Sequence, residues 1–584
     1  MSVRAQWKSR ESPGLTSLNQ LLAWCAVGGD APRLARKQAG VWKTLSCAQF
    51  FAQACALSRT LDAAVGERVA ILAESSPEWL IADFACLAAG VIDVPIYPTL
   101  TATQVAHILR DSGAVGAFVS TAEQRAKILS QRGELPALRW ICCFADADWT
   151  ERVTASAAVP QLAELESTPG TQLATLLYTS GTTGTPKGVM LTHANLCANL
   201  NVSTMDFYFG AGERRLSILP LSHITERHIA YVDMLYDATT YFAESMETVA
   251  ANLTEVRPTV LVSVPRLYEK IAAGVCAQAA AKPALARRIF AWSQAVGTQL
   301  APYRLAGTTA PPSLRCRARI ADLLVWRKLR ARMGGSLTKC ISGGAPLGRD
   351  VAEFLLAMSV VVDEGYGLSE TSPVIALNRP GKRRLGSVGQ PLPNVEVRVA
   401  EDGELLVRGP SVFSGYWNLP GETAAALRDG WFQTGDIGHR DSAGFIHITD
   451  RKKDLIKTSG GKFIAPQPIE AQLKRSTLVA EAVVIGDGRN YAVALLVPQW
   501  AEVARRGLAC DDRSAACADA AVLALFQQAV DEVNATLARF ETIKKFALLA
   551  QEFTVESGEL TPTIKVRRRA VEARHAALIS SLYD

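Results

Sequence analysis

A chain of 584 residues, 49% apolar and 20% charged, is too long for a single hydrophobic core and has ample apolar material for at least two. A formal net charge of +6 is mild at this length and gives no nucleic-acid footprint, and no apolar run approaches the roughly 20 residues that a membrane span needs. The twelve cysteines are scattered with no CxxC pair or Cys/His cluster, which excludes a disulfide frame and a zinc site and reads as reduced core thiols in a cytosolic protein. The opening MSVRAQWKSRESPG has no apolar signal core, so a soluble or peripheral protein is expected.

In chain order, the apolar stretch 69–73 predicts a buried strand. Ser76 before Pro77 opens a helix, as an N-cap followed by proline at the first helical position, and Gly90 should end it just after Ala89. A strand over 91–95, a helix over 103–110 and a strand over 114–120 continue the alternation, which recurs at 259–264 and 338–342. Strands alternating with helices predict parallel α/β layers.

The stretch Tyr178 to Lys187, YTSGTTGTPK, follows an apolar strand over 173–178, and a helix is expected to begin within 191–200. A Gly-rich loop between strand and helix offers backbone N–H groups to an anion. Ser180, Thr182 and Thr183 add hydroxyl donors and Lys187 a point charge, so the loop suits a polyphosphate. It is not a Walker loop, because Pro186 precedes Lys187 and Gly188 follows it.

Between Lys282 and Arg332 lie eleven lysines and arginines and one acid, Asp322, interspersed with Trp292, Leu323, Leu324, Val325 and Trp326. A solvated, partly helical excursion is the preferred reading, and a surface touching anionic membrane is the alternative. From Gly386 the pattern turns to antiparallel β: Val395, Val397 and Val399 alternate with polar residues, and Asp402-Gly403 marks a turn. The charged, Gly-rich run from Asp450 (DRKKDLIKTSGGKFIAP) suits a hinge more than a core. A helix near 468–474 and a hairpin over 479–497 begin a small α+β unit. The expected organisation is α/β, with a large domain of layered α/β subdomains plus a β-rich subdomain over 1–449 and a small mobile α+β domain over 450–584.

YTSGTTGTPK resembles the signature of the adenylate-forming superfamily, which contains acyl-CoA synthetases, luciferases and peptide-synthetase adenylation domains. SGGAPLG, EGYGLSET, DRKKDLIKTSGGKFIAPQPIE and LTPTIKVRRR resemble its long-chain fatty acyl-CoA synthetase branch in particular, and the resemblance runs from about Val69 to Arg569. It implies ATP, Mg²⁺ and coenzyme A acting on a fatty acid, through an acyl-adenylate, with no nucleic-acid partner. It implies a phosphate-binding loop of Thr179, Ser180, Gly181, Thr182, Thr183, Gly184 and Lys187. An adenine pocket is implied at Gly343, Gly344, Ala345, Glu364, Gly365 and Tyr366, where small residues admit a flat base and the Tyr366 ring can stack on it. Ser369, standing where the family usually has threonine, is implied to meet the α-phosphate, and Glu370 with Thr179 to stand on the metal side.

His223, in LPLSHITE, reads by itself as a core histidine; the resemblance implies a positional role beside the reacting carboxyl. Asp436, in WFQTGD, can accept from both ribose hydroxyls. Arg451 is implied at ribose or phosphate, Lys453 at the hinge, Lys457 near the adenylate, and Gly460 and Gly461 along the pantetheine tunnel. Lys565 corresponds to the lysine that the small domain brings to the acyl carboxylate and α-phosphate. Two alternatives stand beside this expectation. One is an adenylating enzyme that loads a carrier protein, such as a fatty acyl-AMP ligase; the other is a noncatalytic lipid-binding scaffold, for which Lys187, Glu370, Asp436 and Lys565 would have no use. The expected location is cytoplasmic, with peripheral contact at the inner face of a membrane under the alternative reading of the basic excursion.

Overall fold

The computed structural model describes residues 14–155, 162–179, 186–207, 209, 212–459, 462–508, 510–561 and 565–584. The chain divides into two compact units: 1–398 with 406–433 and 440–447, and 399–405 with 434–439 and 448–584.

The first unit holds two large sheets. One has six strands in the order Trp140–Cys143, Gly116–Val119, Arg68–Leu72, Ile92–Ile96, Leu173–Thr179, Lys187–Thr192. All neighbours are parallel except the last pair. The other has nine strands, and Val362–Gly367, Lys339–Gly343, Val260–Ser263, Arg214–Ser217, Thr239–Phe242 and Pro32–Gln38 form its parallel centre. The expected parallel α/β layers are therefore present. Helix Pro77–Ala88 starts as read: the Ser76 side chain accepts from the Trp79 amide at 3.3 Å, with proline in the first turn. Strand Ile92–Ile96 is buried along its whole length, as parallel strands covered on both faces are.

In the second unit, strands Val479–Ile485, Ala492–Pro498 and Ile543–Leu548 form a sheet whose alternating residues feed two cores. Ala482, Val484, Ala494 and Leu496 face a cluster with Ile469, Phe526 and Val530, while Val483, Ile485, Val493 and Leu495 face Val571 and Ile579. A strand with helices on both faces is apolar throughout, and period two then decides which core each residue joins. The Asp402-Gly403 turn forms as read, with Gly403 at φ +84° and its N–H on the Ala400 carbonyl.

Three expectations need correction. The strand after Lys187 was not foreseen: Lys187–Thr192 pairs antiparallel with Leu173–Thr179, so the Gly-rich stretch links two strands and the helix, His193–Ser203, begins only afterwards. Alternating Val189 and Leu191, both buried, carry the strand pattern that a helix reading overlooked. Asp450, read as part of a charged hinge, is buried; its carboxylate accepts from the amides of Gln467 and Arg451, holding the first turn of helix Pro466–Leu473. Burial pushes that carboxyl up to about 6. Finally, Cys276 and Cys316 are exposed and not core thiols.

Candidate active site

In the first unit, the hairpin places Thr179 and Lys187 directly opposite one another at the base of the phosphate-loop stretch. Ser180, Gly181, Thr182, Thr183 and Gly184 lie outside the described residues. Lys187 Nζ is 2.5 Å from Glu422 Oε2 and 5.3 Å from the centroid of the Tyr416 ring. The Tyr416 hydroxyl donates to Glu370 Oε1 at 2.9 Å, and the Phe413 amide donates to the Glu370 carbonyl at 2.8 Å. Ser369–Thr371 forms a single 3₁₀ turn packed against strand Lys187–Thr192. Lys187 and Glu370, read from separate stretches, thus meet on one aromatic side chain, Tyr416, with Thr179 across the hairpin from Lys187 and Ser369 next to Glu370 in its turn. The sequence reading missed Tyr416 and Glu422, in GYWNLPGE; the only signal was an aromatic pair before a Pro-Gly turn, which has many structural uses. Burial raises the Tyr416 hydroxyl well above the usual range, with the Glu370 carboxylate adding to it, so Tyr416 stays a neutral donor.

The second group lies at the carboxyl ends of parallel strands, where open α/β sheets place ligands. Strands Lys339–Gly343 and Val362–Gly367 pair with Ser342 beside Glu364 and Gly343 beside Gly365, which brings Gly343, Gly344, Ala345, Glu364, Gly365 and Tyr366 to one edge. Gly344 is left-handed at φ +82°, and a Cβ there would meet nothing closer than 3.9 Å, so the surface beside it is open backbone. At Gly367 a Cβ would come within 1.8 Å of the Pro373 carbonyl, so only glycine fits.

The Glu364 carboxylate turns inward. It is buried and accepts from the Leu347 amide at 3.2 Å, bracing the loop that carries Gly344 and Ala345. Burial pushes its carboxyl up to about 7, opposed by the Leu347 and Gly386 amides. With a folded pKa above the unfolded one, stability from this group is greatest at low pH and declines until pH passes about 7. Glu364→Gln keeps an acceptor and loses the titration. Its stability relative to the parent, followed through Tm, should therefore rise between pH 5 and pH 8, by a free-energy increment on the order of 3 kcal/mol at most; a constant difference across that range would refute the burial argument.

His223 caps helix Ile224–Tyr236, with Nδ1 accepting from the Thr225 amide at 3.1 Å. That contact requires an unprotonated Nδ1, so the neutral ring carries its proton on Nε2 and presents a fixed N–H. The helix is held by an ion network with no solvent exposure. Arg227 meets Asp83, Asp93 at 2.6 Å, Tyr231 Oη at 2.6 Å and Thr175 Oγ1 at 2.9 Å. Thr175 belongs to the strand that leads to Thr179. Arg227 therefore ties the His223 helix to the strand entering the phosphate loop.

In the second unit, Asp436 is buried in strand Trp431–Arg440, and Arg451 Nε lies 2.6 Å from its Oδ1. A bridge pairs Leu560 with Val566, and the Lys565 amide donates to Thr561 Oγ1 at 3.0 Å. Lys565 keeps solvent contact as a residue, yet crowding around its ammonium and then the Arg451 guanidinium lower it to about 8, with Asp436 opposing. Asp436, Arg451 and Lys565 are thus neighbours. Lys457 has a different partner, its ammonium 5.6 Å from the Phe463 ring centroid. Lys453 is exposed on a turn, while the adjacent Lys452 is held by Asp402 at 2.6 Å and Glu404 at 2.7 Å. Gly460 and Gly461 lie outside the described residues.

Glu370 offers one carboxylate and Thr179 one hydroxyl, and no group of three His, Cys, Asp or Glu side chains occurs among the described residues. That donor set fits Mg²⁺, which takes one or two carboxylates and completes its shell with water and substrate phosphates.

The family described as AMP-binding enzyme matches residues 22–417, and the AMP-binding enzyme C-terminal domain matches residues 453–584. The long-chain-fatty-acid–CoA ligase FadD15 of Mycobacterium bovis is 39% identical over 567 residues, covering 93% of each chain. The long-chain-fatty-acid–CoA ligase ACSBG2 of Xenopus laevis is 32% identical, covering 95% of this chain and 82% of its own. Among solved structures, the A domain of a carboxylic acid reductase from Segniliparus rugosus, in complex with AMP and a co-purified carboxylic acid, superposes with a TM-score of 0.76 at 22% identity, covering 99% of this chain and 96% of that one. A fatty acyl CoA synthetase of Mycobacterium tuberculosis gives 0.63 at 21% identity, covering 96% and 99%.

Proposed function

Because the chain belongs to the AMP-binding enzyme family, we propose that it is an AMP-forming long-chain fatty acid–CoA ligase. The observation that carries this reading is the pair of intact residue groups: Lys187, Tyr416 and Glu370 in one unit, and Asp436, Arg451 and Lys565 in the other, on a chain matched nearly end to end by a fatty-acid ligase. In the first step a carboxylate oxygen of the fatty acid attacks the α-phosphorus of ATP, and the bond to the β-phosphate oxygen breaks, giving acyl-adenylate and pyrophosphate. In the second, the thiol sulfur of coenzyme A attacks the acyl carbonyl and AMP leaves, the thiol proton passing to solvent.

The roles follow from charge and geometry. Lys187 meets the outer phosphates, and its present partner Glu422 gives way as they arrive. Mg²⁺, when bound, neutralises phosphate charge, and Glu370 and Thr179 would hold it. Tyr416 keeps Glu370 oriented through its hydroxyl. Tyr366 stacks on adenine beside the open backbone at Gly344, and Ser369 donates to the α-phosphate. Asp436 accepts from the ribose hydroxyls, with Arg451 holding its carboxylate. His223 shapes the acyl end of the site with its fixed Nε2–H. A small domain from about residue 450 turns about Lys453 between the steps, and the thiol enters past Gly460 and Gly461.

The deciding experiment is fatty-acid-dependent exchange of labelled pyrophosphate into ATP, followed by coenzyme A. Exchange with a long-chain fatty acid, then thioester and AMP in equal amounts, is expected. Exchange without thioester formation would favour a carrier-loading enzyme, and no exchange would favour a scaffold. Asp436→Ala and Tyr366→Ala should each raise the KM for ATP about tenfold or more while kcat falls less, because the nucleotide interaction that each removes is made in the ground state as well as in the transition state. A large kcat loss at unchanged KM would remove them from the nucleotide site.

A further inference from the structure

The basic excursion divides: Arg304 turns in to the Leu356 carbonyl and the Trp326 ring, while the stretch from Pro312 presents an outward face. Helix Pro312–Ala321 runs without a break through a π-helical turn, Asp322–Trp326, into helix Arg327–Arg332. The π turn has a packing reason. The inward stripe Leu314, Ala318, Ala321, Val325, Leu329 and Met333 spans one residue more than five α turns, and the bulge absorbs it. Both halves then bury the same side, and Trp326 is 1% exposed.

The opposite side is consequently continuous as well. It carries Ile320, Leu323 and Leu324, exposed by 47%, 63% and 43%. Arg315, Arg319, Arg327, Lys328 and Arg332, all exposed, surround them, and among the described residues none of the five meets a carboxylate. The one acid on this helix, Asp322, is taken by Arg330 at 2.7 Å. Unpaired cations around protruding aliphatic side chains do not suit a solvated face, which gains nothing from exposed leucines. A nucleic-acid strand would use the cations and leave the aliphatic groups wet. Both features are used at once by an anionic lipid surface, where headgroups meet the cations and the aliphatic side chains enter the acyl boundary. No helix among the described residues is long and apolar enough to cross a membrane, so contact through this face would be interfacial.

We propose that residues 315–332 form a docking surface for anionic membrane, with Ile320, Leu323 and Leu324 inserted and Arg315, Arg319, Arg327, Lys328 and Arg332 on headgroups. The test uses the full chain with vesicles of phosphatidylcholine alone and of phosphatidylcholine with phosphatidylglycerol, scored by co-sedimentation. Binding should be at least about tenfold stronger to the anionic vesicles and weaken as salt rises. The combined variant Arg315→Gln, Arg319→Gln, Arg327→Gln, Lys328→Gln should lose that preference. A second variant, Ile320→Ser, Leu323→Ser, Leu324→Ser, should lose binding at both low and high salt. Both should keep the parent's pyrophosphate exchange with a fatty acid below its micellar concentration, which shows that they fold. Equal binding to both vesicle types, no binding, or binding that neither variant changes would overturn the proposal. So would self-association abolished by the serine variant with vesicle binding intact, since the face would then join copies of the chain. The ligase reading stands or falls separately, on exchange.

Discussion

Lys565→Ala is expected to lower fatty-acid-dependent pyrophosphate exchange by about 10² or more, and to leave the conversion of supplied acyl-adenylate and coenzyme A to thioester within a few-fold of the parent. The first step brings two anions together, a carboxylate and an α-phosphate, and a positioned cation lowers that barrier more than it strengthens ground-state binding. The second step joins a thiol to an acyl carbonyl and has no such need once the proposed small domain has turned. The setting of Lys565 adds a pH signature. Crowding and the Arg451 guanidinium hold the ammonium down at about 8, so its cationic form is full below that pH and lost above it. Exchange should therefore fall as pH rises past about 8. Lys565→Arg, whose guanidinium does not titrate there, should be slower but lack that limb. Equal damage to both half-reactions by Lys565→Ala would remove the lysine from its assigned step.

Arg227→Met should cost on the order of 3–5 kcal/mol and lower Tm by roughly 3–6 °C, although Arg227 touches no proposed substrate. The intact network is not the source of so large a figure, since ionic groups sacrifice hydration when they are buried. The loss comes from stranding Asp83 and Asp93, two carboxylates with no solvent exposure, beside an apolar side chain. Burial already drives the Asp93 carboxyl upward against the pull of Arg227. Adding Asp83→Asn and Asp93→Asn should recover much of the loss, because neutral amides are far less costly to bury unpaired. If the triple variant is no more stable than Arg227→Met alone, lost packing is the cause and not stranded charge. Exchange should fall too, because Thr175 on the strand entering the phosphate loop and the helix capped by His223 are both fastened to this guanidinium.

Local chemistry was readable without the fold wherever one short stretch carried it. Ser76-Pro77 opens a helix in any context, because a side-chain acceptor and a missing N–H both suit a first turn. The alternation of apolar runs was enough for parallel layers, and YTSGTTGTPK, EGYGLSET and WFQTGD each fit a nucleotide-handling role because order as well as composition is constrained there. Other features belong to the tertiary structure because they depend on residues far apart in sequence. Tyr416 and Glu422 meet Lys187 from more than two hundred residues away. Glu364 reads as part of an adenine pocket, and only the fold shows that its carboxylate braces the Leu347 amide. Asp450 looked like a hinge residue until the Gln467 amide claimed it. Arg227 carried no motif at all, and its importance rests on two aspartates and a threonine that only folding delivers. A motif records what one segment offers to a ligand; whether a charged side chain serves that ligand or the core is decided by desolvation, which is a property of the assembled neighbourhood and not of the segment.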